Sequence, residues 1–101
     1  MESIINEIKK CVDHSIELSL NTLRELKKES HENRWNNEFA LTVNATKSEL
    51  IEVSGQYAIN KFKKNKIEKS PSPLYHWIVD EVNDRFDQFI QNECTSKPIS
   101  I

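Results

Sequence analysis

With 101 residues, 37% hydrophobic and 30% charged, the chain fits one domain with a modest core and is too apolar for a disordered polypeptide. One glycine and three prolines are too few for a strand-rich fold, which needs turn residues every ten positions or so. A net charge of −2 gives no global basic field and argues against nucleic acid as a partner.

The N-terminus, MESIINEIKKC, lacks the charged-then-apolar pattern of a secretory signal. No apolar run approaches the roughly 18 residues that cross a bilayer. The expectation is a cytoplasmic protein with no membrane partner, in which Cys11 and Cys94 stay reduced. Residues 3–29 carry Ile4, Ile5, Ile8, Val12, Ile16, Leu23 and Leu26 at three- and four-residue steps, which predicts a helix with one apolar face. Ser3 is its expected N-cap. Cys11, Ser15, Ser19 and Thr22 lie within or beside that stripe, Cys11 as an expected core residue, and their small size would let a second helix come close.

Residues 30–38, SHENRWNNE, are polar and read as a break. Over 37–45 two templates compete. Phe39, Leu41, Val43 and Ala45 alternate as a strand would, whereas Phe39, Val43, Thr46, Leu50, Val53 and Tyr57 follow a helical seam. The helical template is the longer one, although Thr46 with Glu49 resembles a capping box that would start the helix later. From 46 to about 65 the helix is clear, and its apolar arc is wider than one neighbour covers. Gly55 sits in this arc at a propensity cost of about 1 kcal/mol against alanine. With Ser54 and Ala58 it predicts a shallow groove for a closely approaching helix.

Residues 64–73, KNKIEKSPSP, form a linker, with Ser70 or Ser72 expected to cap a third helix in which proline occupies the first turn. That helix runs to about residue 93 and buries Leu74, Ile78, Val82, Phe86, Phe89 and Ile90. The expected fold is therefore all-α, two long antiparallel helices plus a shorter third. Residues 1–93 form the single domain, and 94–101 a loose or docked tail.

Among motifs, Glu49 and Glu52 form E-x-x-E on the second helix, and Glu81 and Asp84 form E-x-x-D on the third. A spacing of three places each pair on one side of its helix, and facing helices could gather carboxylates around Mg²⁺. In SELIEVSGQYA and IVDEVNDRF the layout resembles the all-α nucleoside triphosphate pyrophosphohydrolases, the MazG-like family, over residues 49–90. The resemblance implies that Glu49, Glu52, Glu81 and Asp84 hold Mg²⁺ on a nucleoside triphosphate, where metal-activated water releases pyrophosphate. Outside that reading no cofactor is expected. Cys11 and His14 lie three apart but have no second local pair to complete a zinc set. Five lysines within residues 61–69 complement a helix C-terminus. With one glycine, no phosphate-cradling loop forms, and no G-x-S-x-G elbow is present.

Trp35, in the polar break, and Trp77, off the apolar stripe of the third helix, are the candidate anchors for a partner protein. The leading expectation is a non-catalytic protein that acts by protein–protein binding, as inhibitors, immunity proteins, antitoxins or adaptors do. The wide arc of the second helix adds the expectation of a homodimer.

Overall fold

The computed structural model describes residues 2–29 and 37–94, which form three helices: α1 (Glu2–Glu29), α2 (Asn37–Lys64) and α3 (Ser72–Glu93). No strand occurs among the described residues. The all-α expectation therefore holds, with two helices of 28 residues and one of 22. Contacts near the helix ends fix the directions. Lys61 reaches Glu7 and Tyr57 reaches Cys11, so α2 runs antiparallel to α1. Arg24 meets Glu93, and Arg85 meets Asp13 and Glu17, so α3 runs parallel to α1. The result is an up-down-up bundle of 50 × 26 × 18 Å.

The core lies along the common seam. Ile8, Val12, Ile16 and Leu23 of α1 meet Val43 of α2 and Ile78, Val82 and Phe86 of α3, all almost fully buried. Each large side chain taken from water stabilises the bundle by roughly 1.5–3 kcal/mol. Two expected core members of α1 depart from the seam, as does Val53 of α2, which is 59% exposed. Leu26 is 43% exposed, because in the last turn of α1 it lies where α3 is also ending. Cys11 is exposed, because it sits on the flank of the stripe at the mouth of the α1–α2 groove. Cys94 is buried, and residues 95–101 of the expected tail lie outside the described residues.

Helix ends also differ from expectation. The α1 helix already includes Glu2, so Ser3 lies inside its first turn. The helix α2 begins at Asn37, and the Thr42 and Thr46 hydroxyls donate to the carbonyls of Glu38 and Thr42, four residues back. Thr46 is thus an interior residue that satisfies its hydroxyl along the helix, not half of a capping box. Pro71 takes the N-cap of α3 and no side chain caps that helix. Ser70 instead accepts the Ser72 N–H at 3.2 Å.

The C-terminus of α2 closes with paired backbone bonds. The Ile67 N–H donates to Phe62 O at 2.9 Å and the Lys66 N–H to Lys63 O at 3.1 Å, the pattern of a Schellman cap. Its left-handed position is Lys66, at φ 55°, where glycine is usual. Ile67 then packs, half-buried, against the core cluster to which the buried Phe62 belongs.

Candidate functional site

The four acidic residues of the sequence motif do not gather into one cluster. Glu49, Glu52 and Asp84 are exposed. Glu81 is half-buried, with its carboxylate 3.5 Å from Arg85. Arg85 also holds Asp13 at 3.2 Å and Glu17 at 2.8 Å across the α1–α3 seam. Burial works against the charge on this guanidinium, but Glu17, Asp13 and Glu81 outweigh it and raise its pKa above the ordinary value. Glu81 thus belongs to an ion-pair cluster that ties α3 to α1. Glu52 lines a separate cleft, beside Tyr75. Among the described residues no three His, Cys, Asp or Glu side chains are grouped to hold a metal ion. Glu49, Glu52, Glu81 and Asp84 thus form no group of three around one position.

Gly55 has its expected close neighbour. A Cβ built there would lie 2.9 Å from Tyr75 Cε1 and 3.1 Å from Cδ1, so the ring of α3 rests against the bare backbone of α2. Ser54 and Ala58 are buried beside it. Ser54 and Gly55 line different clefts, Ser54 the one towards α1 and Gly55 the one towards α3, and the side chain of Tyr75 takes the space at Gly55. The ring forms one wall of an open cleft of about 370 Å³, lined also by Ser48, Ile51, Glu52 and Ile59.

Trp77 is half-buried and packs against the core, with the Lys9 ammonium 5.1 Å from its ring centroid. That contact combines stem packing with a cation–π attraction, and it gives Trp77 a place within the bundle. Trp35 lies outside the described residues.

Large apolar residues left in water lie on all three helices, Leu18 and Leu26 on α1, Leu41 and Val53 on α2, and Tyr75 on α3. In α2, Leu41 is 71% exposed and Val53 59%, and they stand on opposite flanks. Val53 and Tyr57 face Cys11 and Ser15 across a second groove, of about 190 Å³, between α2 and α1. Leu18, 53% exposed, continues that groove one turn along α1. Within it the Tyr57 hydroxyl donates to Cys11 Sγ at 3.4 Å. This bond, then partial burial, holds the phenol above its ordinary pKa. The signal in the sequence was the arc of α2, too wide for one neighbour. Its two flanks remain open after both neighbouring helices have packed.

Among the described residues no helix is long and apolar enough to cross a membrane. No family model, curated protein or solved structure matches this chain.

Proposed function

We propose that this chain is a small, non-catalytic cytoplasmic protein that acts by occupying a protein partner through α2, in the manner of inhibitors, immunity proteins, antitoxins or adaptors. The observation that supports this reading is the uncovered apolar surface of α2. Leu41 and Val53 are more than half exposed on opposite flanks, although the helix lies between two others. A helix apolar on several sides is ordinarily enclosed, and a partner would complete the enclosure. The Tyr75 cleft, with Ile51 and Ile59 on its walls, offers the concave apolar surface with a polar edge that anchors such contacts.

The test is retention of a partner from extract of the source cells by immobilised protein, with Leu41→Glu and Ile59→Glu variants alongside. A protein held by the wild type and released by both variants supports the reading, provided both keep the wild-type helical circular dichroism. A parallel assay measures pyrophosphate release from nucleoside triphosphates with Mg²⁺ and with EDTA. Metal-dependent release that disappears in Glu52→Gln and Asp84→Asn would replace the binding reading with the enzymatic one.

A further inference from the structure

We infer that the lysine-rich end of the bundle, at the cleft between the start of α1 and the linker after α2, docks an acidic peptide segment of a partner protein. This cleft shares no lining residue with the Tyr75 cleft, and the inference does not depend on the partner reading of α2. Three observations carry it.

The first is the distribution of charge. Residues 61–69 hold five lysines and one glutamate, a net of +4. The other 92 residues hold nine lysines and arginines against fifteen acids, a net of −6. Lys61 is paired with Glu7 at 3.2 Å. Lys63, Lys64, Lys66 and Lys69 are exposed and form no ion pair among the described residues. The helix dipole accounts for the lysines in the last turn of α2, Lys61, Lys63 and Lys64. It does not account for Lys66 and Lys69, which lie beyond that turn.

The second is the backbone of Lys66. At φ 55° it takes a conformation that crowds any Cβ, at a cap position where glycine is usual. A lysine kept where glycine would relieve the backbone points to a task for its side chain, since residues held in such conformations concentrate at ligand clamps. The third is the cleft itself. Lys66 and Lys69, with Ile4, Asn65, Ile67 and Glu68, line an open cleft of about 540 Å³. Ile4 and Ile67 are half-buried against the core, so the wall is apolar, and the two lysines outnumber Glu68. This combination fits an apolar side chain flanked by carboxylates.

Other anions fit less well. The stretch 61–69 has no arginine to fork a phosphate, and its one aromatic residue, Phe62, is buried and gives a base nothing to stack on. No large apolar side chain of this stretch is exposed to enter a bilayer. Ile4 and Ile67 lie in the wall of a cleft, which a peptide side chain enters and a flat lipid surface does not.

Fluorescence anisotropy tests the inference on the full chain, with a labelled octapeptide of six glutamates around a central pair of leucines. Saturable binding is expected with Kd below about 1 mM, weakening about fivefold or more from low to high salt. Lys66→Gly should weaken the peptide about fivefold while raising the midpoint of denaturant unfolding, a split that a purely structural lysine would not give. Lys66→Glu with Lys69→Glu, at unchanged helical circular dichroism, should release the acidic peptide and accept its counterpart with six lysines. Serines in place of the two leucines should weaken binding about fivefold, and amide shifts on titration should centre on Ile4, Asn65 and Ile67. Leu41→Glu, at the far end of α2, should leave the peptide bound, so failure of the partner reading shows separately. No binding at 1 mM overturns the proposal. So does binding indifferent to both Lys66 variants, or a shift map centred on the Tyr75 cleft. Tighter binding to anionic vesicles or to an oligonucleotide would assign the lysines to a lipid or a nucleic acid and overturn it as well.

Discussion

Gly55 and Lys66 lie eleven residues apart and have exchanged the roles usual for their residue types. The one glycine of the chain stands inside a helix, where it costs about 1 kcal/mol against alanine. A lysine holds the left-handed backbone position at the end of the same helix, where glycine is cheapest. Each is explained by what lies above the backbone. At Gly55 the missing Cβ makes room for the Tyr75 ring, so side-chain packing outweighs propensity. At Lys66 two backbone hydrogen bonds and the packing of Ile67 against the core hold the turn, so the cap tolerates a residue that disfavours it. Local preference sets the cost at both positions, and tertiary contact decides whether the cost is met.

The largest expected effect comes from removing the support under the Lys66 cap. Phe62 is 5% exposed and stands at the third position from the helix end in that cap. Phe62→Ala should cost about 3–5 kcal/mol in denaturant unfolding. It should also speed amide exchange at Ile67, whose N–H donates to the Phe62 carbonyl. A loss near 1 kcal/mol would mean that the cap stands without the core.

A double-mutant cycle then tests Gly55. In the wild-type background Gly55→Ala should be close to neutral, because the gain in helix propensity is offset by displacing a ring that is 43% exposed and able to swing outward. In a Tyr75→Ala background the same change should stabilise by about 1 kcal/mol. Equal stabilisation in both backgrounds would show that Tyr75 is not the reason for the glycine. At Lys66 the opposite substitution applies. Lys66→Gly should raise stability by about 0.5–1 kcal/mol, as relief of a left-handed non-glycine residue is partly offset by the looser unfolded chain.

The smallest effect concerns the far end of the bundle, which an ion pair closes. Arg24 Nε lies 2.7 Å and its Nη2 2.8 Å from the two Glu93 carboxylate oxygens. The hydrogen bond from Arg24 lowers the Glu93 pKa below the ordinary carboxylate value, against a smaller opposing effect of burial. A depressed folded-state pKa stabilises above the unfolded-state pKa, and that contribution is lost as pH falls through the folded value. Acid unfolding curves should therefore fall less steeply for Glu93→Gln than for wild type below about pH 4.5. The difference will be modest, because both side chains are about one-third exposed and solvent screens the pair. Parallel curves would assign the acid sensitivity to other carboxylates.

Much of this architecture could be read from the residues. The spacing of Ile8, Val12, Ile16 and Leu23 dictated α1, and that of Leu74, Ile78, Val82 and Phe86 dictated α3, because burial enforces a 3.6-residue period. The ambiguity over residues 37–45 resolved to helix because Val43, 1% exposed, is held in the seam with α1 and α3. The candidate site was less legible. A spacing of three places two carboxylates on one side of a helix but says nothing about the direction in which that side faces. Arg85 drew Glu81 towards Asp13 and Glu17, while Glu52 was left beside Tyr75. Trp77 lies off the stripe, yet it is half-buried against the core with Lys9 over its ring.

The sequence by itself determined that the described residues form three helices, nearly where these begin and end, and which residues line their common seam, since periodicity and proline placement act locally. Only the tertiary structure decided that Tyr75 occupies the space of the missing Cβ, that no three of the motif carboxylates gather at one position, and that α2 keeps two apolar flanks uncovered. Those outcomes depend on how the helices rotate about their own axes when they pack, and that rotation is set by the whole core at once.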